Sequence, residues 1–138
     1  HMYRAIVEGI DFALLEGLEN MERRAGIKVK RIALSGGGSS SDAVCRIAAD
    51  IFGRDVYRVQ TFETSGLGAS MACFIALGLF SGREEAVENM VHLKDIFSPD
   101  PKNAAIYREL YEKAYVKIYP SVRHIYFNIY NMNKNKKL

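Results

Sequence analysis

Residues Arg31 to Asp42 read Arg-Ile-Ala-Leu-Ser-Gly-Gly-Gly-Ser-Ser-Ser-Asp, and this stretch constrains the rest of the chain. A short apolar run reaches three consecutive glycines, and a Ser/Asp cluster then opens a helical pattern over residues 43–52. Strand, glycine turn and helix start imply an α/β arrangement. They also offer bare backbone and a helix N-terminus on which an anion can lie. Ser41 or Asp42 is placed to cap the helix. The spacing excludes a Walker A loop, because no Gly-Lys-Ser/Thr comes after it. It suits a dinucleotide fingerprint poorly, because Gly36-x-Gly38-x-x lands on Ser41. A tight strand-to-helix turn with no ligand would use the same residues.

The residues beyond that helix narrow the choice. After Gly53-Arg54-Asp55 comes a second apolar run, Val56-Tyr57-Arg58-Val59. Then Glu63-Thr64-Ser65-Gly66-Leu67-Gly68-Ala69-Ser70 opens a small-residue helix running to about Phe80. In this order and at this spacing, the blocks Ser35–Val59 and Glu63–Phe80 resemble the C-terminal lobe of the FGGY carbohydrate kinases. The resemblance extends from about Tyr3 to Tyr119, with Ser98 to Tyr119 resembling the closing Pro-Asp-Pro turn and aromatic helix. It implies an α/β fold: part of a ribonuclease H-like (actin-like ATPase) lobe, with few strands and helices packed on them. A C-terminal aromatic-rich helical segment completes the chain. Residues 1–97 would form the C-terminal part of the nucleotide-binding lobe, and 98–138 a helical extension with a polar tail.

The resemblance also implies ATP-dependent phosphorylation of a sugar or polyol, with Mg²⁺, in the intact enzyme. Carried over position by position, the turn Gly36, Gly37, Gly38 lies against the adenosine and α-phosphate side of ATP. Gly37 and Gly38 press backbone on the nucleotide, and Ser41 falls near the adenine or ribose. The family's catalytic aspartate and principal phosphate loops lie upstream of this lobe. Asp11, Asp50 and Asp95 sit in helical patterns without a glycine turn beside them, so none is assigned as catalytic base. Asp42 and Glu63 read as helix caps rather than ligand groups. The chain is thus expected to be a fragment that binds nucleotide weakly and catalyses nothing alone. Two other classes stay open: a non-catalytic nucleotide-binding or regulatory module, and a Rossmann-type dinucleotide-binding domain.

At 138 residues the chain forms one domain at most. A net charge of +3, much of it in Lys134, Lys136 and Lys137, argues against nucleic acid. Cys45 and Cys73 lie in apolar helical patterns without metal-ligand spacing and are expected as buried free thiols. His92 and His124 stand alone, so no metal site is expected. No apolar run approaches ~18 residues, and no signal peptide is seen, so a cytoplasmic protein is expected. His1-Met2 reads as a tag remnant.

Helical periodicity over Tyr3–Arg24 puts Ile6, Ile10, Leu14, Leu18 and Met21 on a buried stripe, widened by Val7, Phe12 and Leu15, with Gly26 as terminator. In the helix over 43–52, Val44, Ile47, Ala48 and Ile51 are expected to face inward. Strands are expected over Val29–Leu34 and Val56–Gln60, and no others. Residues 83–96 read as one helix. Tyrosines from Tyr107 to Tyr130 recur about every fourth residue, a packing face. Pro120 is expected to kink or divide that helix, and the tail from Asn131 to fray. Two strands cannot cover this many amphipathic helices, so uncovered apolar faces and a possible homo-oligomer are expected.

Overall fold

The computed structural model describes residues 1–135. In chain order the elements are α1 (Met2–Ala25), β1 (Ile32–Leu34), a 3₁₀ turn (Gly37–Ser40), α2 (Asp42–Phe52), β2 (Val56–Val59) and α3 (Thr64–Ala76). Then come α4 (Arg83–Met90), β3 (Leu93–Phe97), α5 (Pro101–Leu110), a π-helical segment (Tyr111–Tyr115) and α6 (Val116–Asn135). The sheet order is β1-β2-β3. β1 and β2 run parallel with Ile32 opposite Val56, while β3 runs antiparallel to β2 with Phe97 opposite Val56 and Asp95 opposite Arg58.

β3 corrects the sequence reading of one helix over 83–96. α4 stops at Met90, and the next residues pair with β2 instead. Val87, Val91 and Leu93 imitate helical spacing, but pairing with a neighbour decides between the two states. β1 is shorter than expected, because only Ile32, Ala33 and Leu34 find partners on β2.

The core gathers where α2 meets α1, α5 and the sheet. Cys45, Ala48, Ala49, Ile51 and Phe52 of α2 are buried together with Val56, Phe97, Phe12 and Leu15. The buried stripe of α2 is therefore shifted from the expected one: Val44 and Ile47 are only half-buried. On α1 the change is larger. Val7, Asp11, Phe12 and Leu15 are buried, whereas Ile6, Ile10, Leu14 and Met21 are each at least half exposed. α2 and the Tyr107/Tyr111 rings cover one side of the broad apolar face, and the other side stands free.

Polar ties fix the elements around that core. Arg54 donates to both oxygens of Glu22 at 2.7 and 3.0 Å, and the Val29 amide donates to Glu22 at 2.7 Å. Those bonds close the α1–β1 connection and hold the Glu22 carboxyl down to about 2. Asp50 accepts the Asp100 amide at 2.7 Å and Asn103 Nδ2 at 3.0 Å, which joins α2 to the start of α5. Asp100 in turn caps α5, with Pro101 in the first turn. Phe12 lies 5.9 Å from the Tyr111 ring in a stacked pair and 6.0 Å from Tyr107 edge-on.

Only the first half of the tyrosine series packs as expected: Tyr107 and Tyr111 are buried, Tyr115 is half-buried, and Tyr119, Tyr126 and Tyr130 are exposed. Pro120 lies inside a continuous α6 and does not divide it; the irregular π turn falls upstream, at Tyr111–Tyr115. The helix runs on to Asn135, so the part of the expected fraying tail over 131–135 is helical, and 136–138 lie outside the described residues. α3 buries no residue, although its small side chains would permit close approach. Cys73 on α3 is accordingly exposed, against expectation, while Cys45 is buried as a free thiol.

Candidate functional site: the glycine turn at the start of α2

β1 delivers the chain to Gly36, whose φ of 84° lies in the left-handed region that a side chain strains. The Gly36 amide donates to the Phe62 carbonyl at 3.2 Å, so the turn is tied to the loop that leads into α3. Gly37 and Gly38 differ from Gly36. Neither has a positive φ, and a Cβ added to either would meet nothing within 4 Å. Protein packing therefore does not demand glycine at 37 or 38; a ligand approaching the backbone would.

The hydrogen bonds of the turn are strongly one-sided. Gly36 O accepts from the Ser39 amide at 3.0 Å and from Ser39 Oγ at 2.7 Å, and Gly37 O accepts from Ser40 Oγ at 2.7 Å. Gly38 O accepts the Ser41 amide at 3.2 Å, and Ser41 O the Cys45 amide at 3.1 Å. Ser39 O receives Arg58 Nη1 at 3.1 Å and Cys45 Sγ at 3.4 Å. The acceptors are thus used inside the protein. Among the described residues the amides of Gly37 and Gly38 find no acceptor, and the first turn of α2 has no side-chain cap. A backbone with free donors at the positive end of a helix suits an anion.

Two caps expected from sequence are absent. Ser41 occupies the N-cap position of α2 without a side-chain bond, and Asp42 is the first helical residue, its Oδ1 accepting from Arg58 Nη1 at 2.8 Å. Glu63 occupies the N-cap position of α3, again without a side-chain bond. Asp95, expected in a helix, lies on β3 and accepts Arg58 Nε at 2.7 Å. The sequence singles out neither Arg58 nor Lys94 as a site residue. The one signal for Arg58 is the strand period: it lies two residues from the fully buried Val56 and so shares its face.

The turn stands between two clefts. On one side a polar cleft of about 180 Å³ is lined by Ser39, Ser40, Asp42, Arg58, Gln60 and Lys94, among others. On the other an apolar cleft of about 270 Å³ has Gly38, Tyr3, Ile6 and Ile10 in its walls, with Asp11 beside them. Asp11 is 5% exposed, its Oδ2 has no partner among the described residues, and burial pushes its carboxyl up to about 6. Burial also pushes the Cys45 thiol up, which leaves it an inert core group.

Among the described residues no group of three or more His, Cys, Asp or Glu is placed to hold a metal ion. No helix among them is long and apolar enough to cross a membrane.

The C-terminal domain of the FGGY family of carbohydrate kinases matches residues 1–77, the part that contains α1, the glycine turn, α2 and β2. The chain belongs to this family. It is 36% identical over 113 residues to a xylulose kinase of Lactococcus lactis subsp. lactis, covering 81% of this chain and 23% of that protein. It is 33% identical over 111 residues to a glycerol kinase of Aquifex aeolicus, covering 80% of this chain and 22% of that one. The solved xylulose kinase of Lactobacillus acidophilus superimposes with a TM-score of 0.76 at 28% identity, over 93% of this chain and 26% of its own. The chain thus spans about a quarter of the length of these relatives. Its three-stranded α/β core is a piece of the actin-like ATPase fold of the FGGY kinases, as the resemblance implied.

Proposed function

We propose that this FGGY-family chain is the C-terminal part of the nucleotide-binding lobe of an ATP-dependent sugar or polyol kinase. In this reading Gly36, Gly37, Gly38 and Ser41 lie against the adenosine side of the nucleotide, with residues 1–97 as lobe and 98–138 as helical extension. The observation that carries it is the one-sided turn: carbonyls bonded inward, the Gly37 and Gly38 amides unpaired among the described residues, and nothing within 4 Å of a Cβ added to either. Such a surface holds the nucleotide by backbone donors, fixes its orientation, and leaves the γ-phosphoryl for groups supplied elsewhere in the enzyme. The polar cleft on the Arg58 and Lys94 side suits the phosphates, and the apolar cleft past Gly38 suits the base.

Mg²⁺ and the catalytic base belong, in this reading, to the remainder of the enzyme. The acceptor is a hydroxyl of a sugar or polyol, as the names of the xylulose and glycerol kinases suggest. The cytoplasm is the compartment that supplies ATP, and neither nucleic acid nor a membrane is a partner.

The test is phosphoryl transfer by the longer protein that contains this chain, offered MgATP with a panel of ketoses, aldonic acids and polyols. ADP release that depends on one class of acceptor is expected. Nucleotide binding without ADP release on any acceptor would leave a non-catalytic module instead, and binding of NAD in preference to ATP would favour the dinucleotide reading.

A further inference from the structure

β2 carries a charged residue on the face that it turns toward the core. Arg58 shares that face with Val56, its side chain is 15% exposed, and its guanidinium lies 5.2 Å from the centroid of the Phe97 ring. Every side of the planar group is engaged. Nε donates to Asp95 Oδ2 at 2.7 Å, and Nη2 approaches the same oxygen at 2.6 Å. Nη1 donates to Asp42 Oδ1 at 2.8 Å and to Ser39 O at 3.1 Å, and reaches Ser40 O at 3.5 Å. A single fork thus joins β3 to the glycine turn and to the first residue of α2, a task that a rigid guanidinium performs and an ammonium does not.

Arg58 acts on the turn through both geometry and charge. With Ser39 O and Ser40 O drawn to Arg58, the turn is held with its acceptors inward and its Gly37 and Gly38 amides outward. Asp42, meanwhile, stands in the first turn of α2, beside the unpaired amides that an anion would use. Left alone, that carboxylate would repel a phosphate-bearing ligand; against Arg58 its charge is offset.

We infer that Arg58 is the positioning residue of the nucleotide site: it fixes the Gly36–Ser41 turn with its donors outward and neutralises Asp42, so that a nucleoside polyphosphate can settle there. Asp95 orients Arg58 from the neighbouring strand. The ligand part of this inference rests on the nucleotide reading of the turn; the hold on the turn does not.

The experiment is calorimetric titration of this chain with ADP, alongside amide shifts of Ser39–Asp42 without nucleotide. Arg58→Met should weaken ADP binding about tenfold, because it leaves the exposed Asp42 carboxylate uncompensated beside the charge of the ligand. Adding Asp42→Asn to Arg58→Met should restore most of the loss. A purely structural Arg58 predicts the opposite, since removing one more polar group from a loosened turn cannot tighten it. Should Arg58→Met fail to fold, Arg58→Gln against Arg58→Gln/Asp42→Asn makes the same comparison. Affinity in folded Arg58→Met within about twofold of wild type, or no recovery in the double variant, overturns the inference. Absence of ADP binding by the wild-type chain overturns the nucleotide reading and the ligand part with it. The hold on the turn is then judged by the nucleotide-free shifts, which move in Arg58→Met if it is real and stay in place if it is not.

Discussion

Asp11 shows how much one group can shift the behaviour of a small domain. Its carboxyl is buried on α1, Oδ2 has no donor among the described residues, and burial raises its pKa to about 6 from 3.8. Because the folded value lies above the unfolded one, the charged form is the one penalised. The penalty is complete above about pH 6 and vanishes as pH falls below the unfolded value. Asp11→Asn should therefore stabilise the chain at pH 8 by up to about 3 kcal/mol. The gain should fade toward pH 4, where wild type is protonated as well. Thermal melts of both proteins between pH 4 and pH 8 check this; a constant difference across the range would show that ionisation is not the cause. Gly36 and Gly37 make a second residue-scale contrast, because the first is glycine for its backbone angle and the second has no such reason.

At the scale of elements, what was legible in the sequence was local. β1, the glycine turn, α2 and β2 succeed one another within about thirty residues, and each is marked by its own punctuation, Gly36–Gly38 and Gly53 among it. β3 was not legible, because its assignment depends on β2 lying beside it. Leu93 and Ile96 remain 42% and 60% exposed on an edge strand, so no alternating pattern announces them. Arg58 is hidden for the same reason: its meaning comes from Asp95 opposite it, and that neighbour exists only once β3 pairs. On α1 the periodicity marks a helix correctly, but the stripe is broader than any one covering surface. Which half is buried is decided by α2 and by Tyr107 and Tyr111, from far along the chain. The missing caps at Ser41 and Glu63 obey a similar logic. Ser41 is of a type that suits a cap and Glu63 is not, and at α2 the Asp42 carboxylate next along is taken by Arg58.

The whole molecule carries more apolar surface than its small sheet can cover. Ile6, Ile10 and Leu14 line one side of α1, and Ile118, Ile125 and Phe127 stand out on α6, all at least 48% exposed. Apolar patches of this extent favour association, and β1 and β3 each leave one edge unpaired within the three-strand order. Light scattering over a concentration series should therefore show the average mass rising with concentration, together with binding of an apolar dye; a constant monomer mass without dye binding would contradict this. The proposed function rests elsewhere, on the bare backbone at the start of α2. Its most direct test is an amide-shift titration of this chain with ADP, wild type against Gly37→Val. Saturable shifts at Gly37, Gly38 and Ala43 are predicted in the wild type. They should be lost in Gly37→Val while its melting temperature holds, since a Cβ there meets no protein atom within 4 Å. Equal shifts in both proteins, or wild-type shifts confined to residues away from the turn, would contradict nucleotide binding on that backbone.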